Sequence, residues 1–136
     1  MRYVIPSFQE STLRRGKSLE QFLGGLQRGD ARAIKWLELR PFQNQVEVWS
    51  FEAPDVGDAE FTDVYEFGAD DIENPVATFA NAADALHFAH NVLSALPSRW
   101  VNVTVVGDEY ADFVAAGRPI ALATGAGLTI RSSGRL

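Results

Sequence analysis

The chain has 136 residues, of which 46% are hydrophobic and 11% aromatic, enough apolar matter for one folded domain and too much for a disordered chain. Cysteine is absent, which excludes disulfides, thiolate metal sites and a cysteine nucleophile. The net charge of −6 argues against nucleic acid or an anionic membrane as partner, and no apolar run approaches the roughly 18 residues of a membrane span.

In chain order, the start "MRYVIPSF" lacks the long apolar stretch of a secretory signal, so the expected compartment is the cytoplasm. Residues 2–6 read as a short strand stopped by Pro6. Ser18 then offers a helix start: its hydroxyl caps, and Gln21 reaches back three positions later. Leu19, Phe22, Leu23 and Leu26 follow at helical spacing, and Gly24 with Gly25 weakens or ends the helix. Residues 31–41 and 45–52 are strand-like and separated by "PFQN", a connection suited to an antiparallel hairpin. Along the second of them, Val46 and Val48 share one side, and Glu47, Trp49 and Phe51 the other. After the loop "APDVGDAE", the segment "FTDVYEFG" reads as the third strand of a meander.

The clearest helix spans about 81–96. Asn81 caps it, Ala82, Ala85, Leu86, Ala89, Val92, Leu93 and Leu96 form its apolar stripe, and Pro97 stops it. Residues 100–106 are a strand with Val101, Val103 and Val105 on one face. "DEYADFVAAG" follows as a short helix capped by Asp108, with Gly117 at its exit. In the tail, "LTIR" suits a sheet edge, and residues 132–136 are expected to fray. Strands and helices mix without βαβ alternation. The expected fold is therefore α+β in a single domain over 1–136: a mainly antiparallel sheet of about four to six strands, the long helix on one face, and one or two shorter helices.

Charge is unevenly spread. Residues 1–40 hold eight basic and four acidic side chains, residues 41–98 hold eleven acids and no Lys or Arg, and residues 99–136 hold four basic and three acidic. The peak lies at residues 52–74, with Glu52, Asp55, Asp58, Glu60, Asp63, Glu66, Asp70, Asp71 and Glu73. Like charges this dense repel one another unless something cationic relieves them.

No motif for chemistry is complete. "RRGKS" ends like a phosphate-binding loop, but Ser11 stands where G-x-x-x-x-G-K-S/T requires its first glycine. Asp84, His87 and His90 recur every third residue, yet a helix turns by about 120° across six residues, so the outer two do not readily share an ion. The two histidines are expected to face solvent or be partly buried. From Asp55 the EF-hand pattern fails, because Gly57 and Ala59 occupy positions three and five; an irregular calcium or magnesium loop stays open. No pair of carboxylates stands out as acid and base, so neither an enzymatic activity nor a cofactor is expected.

What remains is charge used as charge. Asp55, Asp58, Glu60, Asp63, Glu66, Asp70 and Asp71, with Tyr65 as an apolar anchor, are the candidate partner-binding residues, suited to a strongly basic protein. A small, acidic, cysteine-free α+β chain with this stretch resembles the immunity proteins of bacterial contact-dependent inhibition and related polymorphic toxin systems. That resemblance implies a cytoplasmic inhibitor that covers a cognate toxin domain, commonly a nuclease, with the acidic residues standing in for a phosphate backbone. The alternative reading is a metal-binding module or small metal-dependent enzyme using the same carboxylates with His87 or His90. A self-pairing domain is a third reading, and the oligomeric state is left open.

Overall fold

The computed structural model describes residues 2–120. Among them are five strands, β1 (Leu19–Arg28), β2 (Ala31–Phe42), β3 (Gln45–Pro54), β4 (Ala77–Phe79) and β5 (Val101–Asn102). Three α-helices accompany these, α1 (Pro6–Arg14), α2 (Ala82–Val92) and α3 (Val106–Ala115), with a short 3-10 helix at Val64–Glu66. The strands form one sheet in the order β4-β3-β2-β1-β5, and every neighbouring pair is antiparallel. The α+β class expected from the pattern is the fold found.

Helices lie on both sides of the sheet. On one face Leu19, Leu37, Leu39, Val46 and Val48 pack with Leu13 of α1, Ala85 and Ala89 of α2, and Trp100. On the other, Ile34, Trp36 and Ala53 pack with Val64, Phe67, and Val106, Tyr110 and Phe113 of α3. The β2–β3 hairpin is the spine. Its side-chain parity is the expected one, with Val46 and Val48 buried on the α2 face and Trp49 and Phe51 opposite. The turn is tighter than "PFQN" suggested: Pro41 and Phe42 belong to the ladder, and only Gln43 and Asn44 turn, at φ 51° and 63°. Two successive left-handed residues are what a two-residue hairpin of the I′ kind requires.

Several elements differ from expectation, each for a local reason. Residues 2–6 are not a strand of the sheet; Tyr3 makes a single bridge to Val101, and Pro6 opens α1. Proline suits the first helical position because its missing N–H is one that a helix leaves unpaired there. The helix expected after Ser18 is β1. Apolar residues sit on both faces of this inner strand, so they need not alternate, and the register shift between Phe22 and Gly24 adds a bulge that disturbs the period further.

"FTDVYEFG" is no third strand. Asp58 Oδ1 accepts the N–H groups of Glu60 and Phe61, and Asp63 Oδ1 that of Tyr65, so side chains take donors that a ladder would have used. The meander is completed instead by β4. Helix α2 starts as expected, with Asn81 Oδ1 accepting the Asp84 N–H at 2.8 Å, but it ends at Val92 and not near 96. Ser94 is left-handed at φ 66°, the Ala95 N–H closes back on Ala89 O at 3.0 Å, and Gln21 of β1 takes both the N–H and the C=O of Leu96. Strand β5 is only two residues long, because Thr104 at φ 79° breaks the extended run. Asp108 lies in the first turn of α3 rather than at its cap, which is Val105; Gly117, at φ 88°, does mark the exit. "LTIR" and residues 132–136 lie outside the described residues.

Candidate functional site

The acidic span leaves the sheet at the end of β3 and returns to it at β4, crossing the α3 side of the molecule. Three ties hold it. At the first, Asp55 is almost wholly buried, its side chain 1% exposed, and its Oδ1 accepts from Tyr110 Oη and Arg118 Nη1, each at 2.5 Å. Arg118 Nη2 also donates to Gly57 O at 2.9 Å. Burial, and then the bond to Asp55, push the Tyr110 hydroxyl up. Gly57 is packed so closely that a Cβ there would stand 2.3 Å from both Phe61 O and Phe67 Cζ.

The second tie is Tyr65, whose hydroxyl donates to Glu20 Oε1 at 2.5 Å. The Thr104 N–H donates to the same two oxygens, at 3.3 Å to Glu20 Oε1 and 3.1 Å to Tyr65 Oη. Glu20 is a buried carboxyl on β1, and burial pushes it above the usual carboxylate range. Burial, with Glu20 as the next cause, likewise holds the Tyr65 hydroxyl well above its ordinary value. The third tie is Arg28, at the end of β1, which reaches Asp70 Oδ2 at 2.9 Å and Glu52 Oε1 at 3.4 Å. The relief that a span without Lys or Arg requires thus comes from Arg28 and Arg118, brought in from both flanks.

The candidate residues therefore divide. Asp55 is consumed inside the fold, Asp70 is half-exposed in an ion pair, and Asp58 and Asp63 are exposed while bonding backbone amides. Glu60, Glu66 and Asp71, together with Glu73, are exposed and make no ion pair among the described residues. Val56, Phe61, Tyr65 and Ile72 are exposed among them. Phe67, from the same segment, is buried against Tyr110, with ring centroids 5.0 Å apart.

Residues from outside the span join it, most of them without a cue in the linear sequence. Strand pairing sets Glu20 beside Glu38, Glu38 beside Trp49, and Arg40 beside Glu47. A row of rings runs Tyr65, Trp36, Phe51, Trp49, with successive centroids 6.3, 5.5 and 6.1 Å apart. Only the register of three strands makes this face; the cue within the sequence was the shared parity of Glu47, Trp49 and Phe51.

A metal reading finds little to build on. Among the described residues, no group of three or more His, Asp or Glu side chains is arranged to hold an ion. His90 Nε2 accepts the buried Trp100 indole N–H at 2.8 Å, and the exposed His87 meets Asn91. Compared with protein-family models, curated proteins and solved structures, the chain matches none.

Proposed function

We propose that this protein is a stoichiometric inhibitor of a basic protein: an immunity protein that works in the cytoplasm and neutralises a cognate toxin domain, a nuclease being the best fit. The observation that carries this reading is the form of the acidic span. Asp58, Glu60, Asp63, Glu66, Asp71 and Glu73 are exposed on a segment pinned at Asp55, Tyr65 and Asp70. A segment held this way loses little conformational freedom on binding, and less of the attraction is then spent on ordering it. The exposed Phe61, Tyr65 and Ile72 supply the apolar contacts that charge alone lacks. A nuclease groove, lined with Lys and Arg to hold phosphates, is the complementary surface.

In this mechanism long-range attraction speeds encounter, and the central contacts set the dissociation rate. The test takes as partner a basic toxin domain sought in the reading frames next to the one for this chain. Cells making that domain should survive only when this protein is made with it. In vitro, association should slow steeply as salt rises. Reversing Glu60, Glu66 and Asp71 to Lys should lower the on-rate by about tenfold. Salt-independent association, or an on-rate indifferent to those reversals, would overturn the reading.

A further inference from the structure

We infer that the half-open sheet face beside Tyr65 reads arginine: it receives an arginine-bearing segment of the basic partner, stacked on Trp49 and Phe51. The inference rests on the docking reading above and adds the chemistry of what is bound.

Cross-strand pairing arranges this face in rows. Phe22, Trp36 and Phe51 lie in one, Glu20, Glu38 and Trp49 in the next, and Arg40 and Glu47 in the last. Helix α3 covers the β1 end, where Phe22 meets Tyr110 and Phe113 edge-on. Tyr65 covers the middle, edge-on to Trp36 and bonded to Glu20. Trp49 and Phe51, on β3, lie beyond both and are only half-buried, with nearly parallel rings, 6° between their planes. Large flat surfaces of this kind, partly wet and rimmed by carboxylates, are what a guanidinium stacks on.

The face already holds one such group. Arg40 places its guanidinium carbon 4.4 Å from the Trp49 ring centre, while Nε and Nη2 donate to the two oxygens of Glu38 at 3.1 and 2.7 Å. Glu47 turns to the same ring, accepting the Trp49 indole N–H at 3.0 Å. Arg40 is the one cation in these rows, set against Glu38 and Glu47. One guanidinium therefore leaves the carboxylates in excess and Phe51 unstacked by charge. A second guanidinium, supplied by the partner, answers both. Lysine does so less well, because its ammonium is compact and strongly hydrated and lacks a flat face to lay on a ring.

The experiment titrates the full chain at low salt with hexa-arginine and hexa-lysine peptides, following heat and tryptophan fluorescence. Hexa-arginine should bind about fivefold more tightly than hexa-lysine. Trp49→Leu, which keeps apolar bulk and loses the ring, should remove that preference, weakening hexa-arginine binding more than hexa-lysine binding. Trp49→Phe, the milder change, should retain part of it and serves if the leucine variant does not fold. Equal binding of the two peptides by the wild type, or a preference that survives Trp49→Leu and Trp49→Phe undiminished, would overturn the arginine-reading face. In that case hexa-lysine binding that weakens on reversing Glu60, Glu66 and Asp71 would leave the docking reading standing. Failure of both peptides to bind would remove both.

Discussion

The buried indole of Trp100 spends its N–H on His90 Nε2, so His90 must stay neutral at that nitrogen for the bond to exist. Burial is the main cause that pushes the His90 imidazole below its ordinary value of 6.5, with the charge of neighbouring His87 a smaller one. The sign follows: as pH falls through about 6.5 the unfolded chain takes up this proton before the folded one, so stability is lost on acidification. The loss levels off once His90 titrates in the folded protein too. Urea unfolding should therefore show a midpoint that drops between pH 7.5 and pH 5.5, and His90→Gln, which keeps an acceptor but does not titrate, should flatten that drop. An equal slope in the variant would assign the pH dependence to other groups. Asp55 makes the complementary point about reading residues singly. In sequence it is one carboxylate among nine, whereas in the fold Tyr110 and Arg118 claim it.

Among the elements, the β2–β3 hairpin and the start of α2 were legible because each is specified by neighbours in the chain. Alternation spans Ala31–Phe42 and Gln45–Pro54, and the Asn81 cap sits directly before an apolar stripe. The acidic span holds no strand at "FTDVYEFG" because its local bonds are made by side chains. Asp58 and Asp63 divert backbone donors, and Gly57 lets the segment lie against Phe67 and Tyr110. Strand propensity in "FTDVYEFG" cannot register either effect. Gly57 supplies the test at this scale. A Cβ there meets the Phe61 backbone, which cannot yield as a flexible side-chain tip would, so Gly57→Ala should cost about 2 kcal/mol of stability in denaturant unfolding. It should also loosen the span, read as faster amide exchange over residues 58–67. A variant of unchanged stability and exchange would show that the segment is not pinned at this point.

For the whole molecule, the question is what concentrated negative charge does to the folded state. Glu60, Glu66, Asp71 and Glu73 make no ion pair among the described residues, and the mutual repulsion of so many like charges in one span opposes the compact state. Asp71→Lys with Glu73→Lys should therefore leave stability unchanged or raise it by a few tenths of a kcal/mol. Asp55→Asn, by contrast, strips the partly buried Arg118 guanidinium of its anion and should cost about 3 kcal/mol. Both are checked by the same unfolding curves, and a reversal as costly as Asp55→Asn would mean that Asp71 and Glu73 also hold the fold together.

The sequence by itself determined the fold class, the parity of the central hairpin and the concentration of negative charge in one span, because composition and nearest-neighbour periodicity carry that information. Only the tertiary structure decided which carboxylates face solvent, that Leu19–Arg28 is an inner strand rather than a helix, and that Glu20, Glu38, Arg40 and Trp49 share a face with Tyr65. Those outcomes depend on pairing between residues distant in the chain. Glu20 and Tyr65 stand 45 positions apart, and Asp55 and Arg118 63 apart. No local pattern specifies such a meeting; it follows from strand order and from the burial that strand order imposes.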